Sequence, residues 1–102
     1  MELVDKFKEI LEEKQAGDIR TLNISKVSSL GDFFIIATAK NESHLDALTD
    51  YLVEIERPKS IEGFKKDGWV LLDFGDVVVH LFDEDSRLFY NLERLWVDAS
   101  LV

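Results

Sequence analysis

Apolar residues recur along this chain in two rhythms, and the alternation between them lays out its elements. From Glu2 to Gln15, Leu3, Val4, Phe7, Ile10 and Leu11 return at helical spacing with Glu and Lys between them. That pattern predicts an amphipathic helix whose narrow stripe packs on a core, with Gly17 as its C-terminal stop. Asp18 to Ser25 alternates as a strand does, placing Leu22 and Ile24 on the core side. Ser28-Ser29-Leu30-Gly31-Asp32 is a turn cluster. Phe33 to Ala39 is then continuously apolar, which predicts a central strand buried on both faces. Asn41 is a natural N-cap for a second helix, Glu42 to about Glu56, with Leu45, Leu48, Leu52 and Ile55 as its buried stripe. Pro58 ends it. Lys59 to Glu62 reads as a short strand, and Gly63 to Gly68 as a glycine-bounded loop.

The stretch around which the chain is organised runs from Gly68 to Phe82. Trp69 to Leu72 and Val77 to Phe82 predict two strands joined by a turn at Asp73-Phe74-Gly75-Asp76. Neither arm has a polar face. Such a hairpin sits centrally in a sheet, covered by helices on one side and by helices or a partner on the other. A two-residue loop of Phe74 and Gly75 would set Asp73 against Asp76 and force Phe74 to positive φ. A three-residue loop with Gly75 left-handed avoids both and is the expected form. It leaves Phe74 near a loop tip between two carboxylates, where an apolar residue signals binding. Asp83, Asp85 or Ser86 caps the last helix, which runs to about Trp96, and Val97 to Val102 is expected as irregular chain. The order of helix, two strands, helix, three strands and helix predicts a single α/β (α+β) domain over residues 1–102, with a mixed sheet of about five strands flanked by helices.

Composition narrows the function. Twelve basic against 21 acidic residues give a net charge of −9. That argues against direct nucleic-acid binding, which depends on phosphate neutralisation by Lys and Arg. It favours a basic partner met with electrostatic steering, although solubility alone also accounts for the charge. The absence of cysteine excludes disulfides, thiol catalysis and thiolate zinc sites. No apolar run is long enough to span a membrane, and the acidic N-terminus has no signal-peptide core, so a cytoplasmic location is expected.

No constellation builds an active site. Asp73-Phe74-Gly75 spells the magnesium motif of kinases, but no His-Arg-Asp loop or phosphate-binding glycine loop accompanies it. Asp83-Glu84-Asp85 has metal-binding spacing, but the stronger reading is that carboxylates before a helix offset its dipole and cap its amides. His44 and His80, the two histidines, have no nucleophile in view, and structural or surface roles are expected for both. The serines lie in no nucleophile elbow. Neither an enzyme nor a cofactor is expected. Trp69 and Trp96 are ordinarily core anchors, but tryptophan also dominates binding hot spots. Trp69, beside a glycine-rich loop and an acidic turn, is the candidate anchor.

Gly68-Trp69-Val70-Leu71-Leu72-Asp73-Phe74-Gly75-Asp76-Val77-Val78-Val79-His80-Leu81-Phe82 resembles the core signature of the ribosomal silencing factor, or Iojap-like, family. Asp32 to Thr38, Ser43-His44 opening a helix, Glu62-Gly63, and Arg87 to Trp96 match the same pattern in order. The resemblance spans almost the whole chain. It implies a mixed-sheet domain related in fold to nucleotidyltransferases but without their catalytic pattern. It further implies a translational repressor that binds a basic protein, the fourteenth in the large ribosomal subunit's numbering, on the intersubunit face. Occupying that face would block joining of the small subunit. Trp69 is the binding residue carried over from the motif; Leu71, Asp73, Phe74 and Asp76 are candidates around it, chosen from charge and the turn. A homodimer when free is also implied. The competing readings are a Mg-dependent nucleotidyltransferase-like enzyme using Asp83 and Asp85, and an acidic adaptor for another basic protein.

Overall fold

The computed structural model describes residues 2–26, 31–64, 67–90 and 100–101. The elements are α1 (Glu2–Glu13), β1 (Gly17–Asn23), β2 (Phe33–Ala39), α2 (Glu42–Ile55), β3 (Ser60–Phe64), β4 (Trp69–Asp73), β5 (Val77–Asp83), α3 (Glu84–Tyr90) and β6 (Ser100–Leu101). The sheet order is β3-β4-β5-β2-β1-β6. Among the described residues only the central β2–β5 pair is parallel, so the sheet is mixed and the domain is α+β. The expected five strands are present. Ser100–Leu101, expected as irregular chain, adds a short sixth by pairing with Leu22 and Asn23 along the open edge of β1.

The two strands read as continuously apolar, β2 and β5, are the middle of the sheet, where both faces need apolar cover. On one face Ile35, Ala37, Ala39, Val70, Leu72, Val77, Val79 and Leu81 meet Val4, Phe7 and Leu11 of α1 and Leu45, Leu48 and Leu52 of α2. On the other face Leu22, Ile24, Phe34, Ile36, Val78 and Phe82 form a second cluster, with Trp69 and Leu71 at its margin. α3 lies against β5 and β2. Its Arg87 donates from Nη1 to Thr38 Oγ1 at 2.9 Å and pairs with Asp18 at 3.4 Å. The hydrogen bond from Arg20 holds the Asp18 carboxyl below its ordinary pKa; burial opposes it, and the charges of Arg87 and Arg20 add to the lowering.

Local chemistry explains most boundaries. Asn41 Oδ1 accepts the His44 amide at 2.8 Å, as an N-cap should, and α2 ends at Ile55, three residues before Pro58. Asp83 is the cap of α3, accepting the Ser86 amide at 2.8 Å through Oδ1. The stop of α1 differs from the expectation. Gln15, not Gly17, takes the left-handed conformation (φ 64°). The amides of Ala16 and Gln15 return to the carbonyls of Leu11 and Glu12, so the last carbonyls of the helix are met before Gly17 is reached. β3 is also longer than expected, because Gly63 and Phe64 pair with Val70 and Trp69 instead of looping. Of the last helix, residues beyond Tyr90, Trp96 among them, lie outside the described residues, as does most of the turn cluster before Gly31.

The hairpin turn takes neither form weighed from the sequence. Asp73 pairs with Val78, and the Phe74 amide donates to the Val77 carbonyl at 2.9 Å. The tip is therefore Gly75-Asp76, with Gly75 at φ 94° in the first central position, where a hairpin turn favours glycine. This register separates Asp73 from Asp76 and spares Phe74 a positive φ. It also turns Phe74 inward. Phe74 is 7% exposed, its ring 4.6 Å from that of Phe7.

Candidate functional site: the sheet face opposite α1 and α2

The alternation of β4 sends Trp69, Leu71 and Asp73 to the face opposite α1 and α2, and all three are half-buried. Three of the five candidate residues are thus brought into one row. Asp76 stands exposed at the hairpin tip, where its carbonyl receives the amides of Asp32 and Phe33 at 2.8 and 3.0 Å. Phe74 belongs to the core beneath the other face, out of direct reach of a partner.

Cross-strand register supplies the rest of the surface. Trp69 lies opposite Phe82, with ring centroids 6.5 Å apart and planes at 21°. Phe82 is nearly parallel to His80 at 6.2 Å, and Phe34 meets His80 edge-on at 4.7 Å. A row of rings therefore crosses β4, β5 and β2. Beside it opens a pocket of about 330 Å³ lined by Phe34, Ser60, Glu62, Leu71, Asp73, Val78 and His80. Asp73 Oδ1 accepts the Gly75 amide at 2.8 Å, which holds the carboxylate at the pocket's edge.

His80 is the residue that sequence reasoning passed over. It is 6% exposed, and neither Nδ1 nor Nε2 has a hydrogen-bond partner. Burial pushes its pKa down to about 4, so the ring is neutral at physiological pH. The signal was a lone polar side chain inside a six-residue apolar strand. What hid its importance was the register, which alone puts Val78, His80 and Phe82 on the same face as Trp69. His44 has a structural role: Nδ1 accepts the Lys40 amide at 2.9 Å and Nε2 donates to the Lys14 carbonyl at 2.8 Å.

No three His, Asp or Glu side chains among the described residues converge to hold a metal ion. At Asp83, one carboxylate oxygen of the Asp-x-Asp pair is engaged in capping. None of the described helices is long and apolar enough to cross a membrane.

Fold and surface together define a small acidic α+β domain with a half-buried row of Trp69, Leu71 and Asp73 on one sheet face. The family model described as "Ribosomal silencing factor during starvation" matches residues 1–102. The chain is similar to ribosomal silencing factor RsfS of Halalkalibacterium halodurans, with 38% identity over 97 residues, covering 90% of this chain and 83% of that protein. Identity to RsfS of Bacillus subtilis is 38% over 95 residues, covering 88% and 80%. A crystal structure of a protein from Chromobacterium violaceum superposes with a TM-score of 0.85 at 33% identity, covering 93% of this chain and 83% of that one. The protein belongs to the ribosomal silencing factor family, a family of ribosome-associated translational repressors.

Proposed function

We propose that the protein represses translation by seating the Trp69, Leu71 and Asp73 face on a basic protein of the large subunit's intersubunit surface, the fourteenth in that subunit's numbering. Its bulk there excludes the small subunit. No chemistry is required, and the action belongs to the cytoplasm, where ribosomes join. The observation that carries this reading is the row of Trp69, Leu71 and Asp73 on the sheet face opposite α1 and α2. A half-buried indole supplies apolar contact at modest conformational cost, while Asp73 and the exposed Asp76 complement positive charge. The net charge of −9 steers the approach. The same apolar margin serves a second copy when the protein is free, giving a homodimer.

Sucrose-gradient sedimentation of large and small subunits with the protein tests this. The protein is expected to travel with the large subunit and to reduce the joined peak, and Trp69→Ala to weaken both effects with the fold intact. A protein that stays at the top of the gradient with the joined peak unchanged refutes the docking. Binding to the large subunit without loss of the joined peak retains the docking and removes the occlusion. Binding to the isolated basic protein alone leaves the acidic-adaptor reading.

A further inference from the structure

β5 divides its side chains unequally between the two faces of the sheet. Val77, Val79 and Leu81, all aliphatic, go to α1 and α2. Val78, His80 and Phe82 go to the face of Trp69, so both rings of the strand lie there. His80 is the anomaly among them. An aliphatic side chain would fill a buried strand position without polar atoms, and the three preceding residues are all valine. Burying an imidazole with no hydrogen bond lowers stability, and native proteins seldom keep such a group without a use. His80 is 6% exposed, and its two nitrogens are shut off from solvent and from any hydrogen-bond partner. The use therefore lies in the flat ring and not in its nitrogens.

The ring is one member of a row. Phe34 backs His80 edge-on at 4.7 Å, His80 lies within 7° of parallel to Phe82 at 6.2 Å, and Phe82 lies within 21° of parallel to Trp69 at 6.5 Å. These spacings belong to attractive ring pairs. Burial keeps His80 neutral at physiological pH, so it meets Phe82 as an uncharged surface. Phe34, His80 and Phe82 are buried, and Trp69 is half-buried, so the row leads from the interior to one ring that meets solvent. On the β3 side the indole lies against Gly63, where a Cβ would fall 2.7 Å from Trp69 Cε3. The indole is thus held between a glycine backbone and the ring of Phe82.

We propose that Phe82 and His80 are positioning residues for Trp69: the buried rings hold the indole in one pose in the free protein, and position 80 carries a ring because an aliphatic side chain there would let Phe82, and the indole with it, shift. What the pose serves rests on the docking reading above. An aromatic anchor already fixed before contact loses little freedom on binding, so the row trades fold stability for affinity. The two quantities then move in opposite directions when the ring is removed. A residue that merely packed the core would move them together.

Three measurements on the full chain test the assignment in wild type, His80→Leu, His80→Phe, Phe82→Leu and Trp69→Ala. They are the urea midpoint, the heteronuclear NOE of the Trp69 indole Nε1–H, identified by its absence from Trp69→Ala, and co-sedimentation with purified large subunits. His80→Leu replaces the unpaired polar ring by an apolar side chain of similar size, so its midpoint is expected to equal or exceed that of wild type. Its indole NOE is expected to fall, and its binding to weaken about fivefold, as for the loss of one aromatic pair. His80→Phe restores a ring and is expected to recover both the NOE and the binding. Phe82→Leu removes the ring next to the indole and is expected to lower the NOE even if the core accepts no phenylalanine at position 80. An indole NOE unchanged in His80→Leu and Phe82→Leu overturns the proposal, as does a His80→Leu variant that loses stability and binding together. If Trp69→Ala weakens binding and His80→Leu does not, the docking stands and the positioning falls. If wild type itself does not co-sediment, the docking reading falls, and the indole NOE alone decides the positioning.

Discussion

The indole of Trp69 occupies the space that a side chain at residue 63 would need. A Cβ built on Gly63 falls 2.7 Å from Trp69 Cε3 and 2.5 Å from the Trp69 carbonyl oxygen, and Gly63 has φ 82°. The glycine therefore both allows the backbone of β3 and sets the pose of the candidate anchor. Gly63→Ala adds strain and overlap, and is expected to destabilise the fold by about 1–3 kcal/mol. It should also weaken large-subunit binding beyond what unfolding explains, because the ring must move. Urea denaturation with co-sedimentation of the folded variant checks both.

Two neighbours at the hairpin end should behave oppositely. Phe74 is buried against Phe7, so Phe74→Ala should cost about 3–5 kcal/mol in urea denaturation. Asp76 serves the structure through its main-chain carbonyl, which any residue provides. Asp76→Ala should therefore change stability by no more than about 0.5 kcal/mol. Its effect should appear in subunit binding, as a loss that shrinks with added salt.

Burial lowers the folded-state pKa of His80 to about 4, from an ordinary value of 6.5. The unfolded chain therefore takes up this proton first as pH falls. Stability is unaffected by this group above the unfolded value, declines as pH drops from about 6.5 toward 4, and has lost on the order of 3 kcal/mol at the lower end. Asp73 and Glu62 are the charged groups that line its pocket. Urea unfolding at stepped pH should show the decline in wild type and a clearly smaller one in His80→Phe, with the difference assigning it to the ring.

The turn that opens α2 is tied to the end of α1. Asn41 caps through Oδ1, and His44 bridges the Lys40 amide and the Lys14 carbonyl. Asn41→Ala should cost about 1 kcal/mol. His44→Ala should cost about 1–2 kcal/mol, since two hydrogen bonds are lost at a half-buried site. The double variant is expected to depart from additivity, because both residues organise the same turn. Thermal denaturation of the four proteins completes the cycle.

Much of the fold was legible in the chain. The limits of β2, the capping role of Asn41 and the buried stripe Leu45, Leu48 and Leu52 follow from periodicity and side-chain reach within one turn. So does the reading of β5 as central. The hairpin was legible as a hairpin but not in its register. The two-residue form considered placed Gly75 second in the loop, whereas Phe74 packs inward on Phe7 and the tip is Gly75-Asp76. Phe7 is 67 positions away, beyond the reach of any local rule.

What the sequence by itself determined is therefore the list of elements, the acidic character, and the family signature between Gly68 and Phe82. These depend on residue type and short spacing. What only the tertiary structure decided is which side chains share a face. Strand side chains alternate, so a one-residue change of register exchanges core for surface. That register, set by contacts between distant segments, gathers Trp69, Leu71, Asp73, Glu62 and His80 on one face and sends Phe74 to the other. It also leaves His80 buried beside an acidic pocket with both ring nitrogens free, because burial is a property of the assembled sheet and not of any one strand.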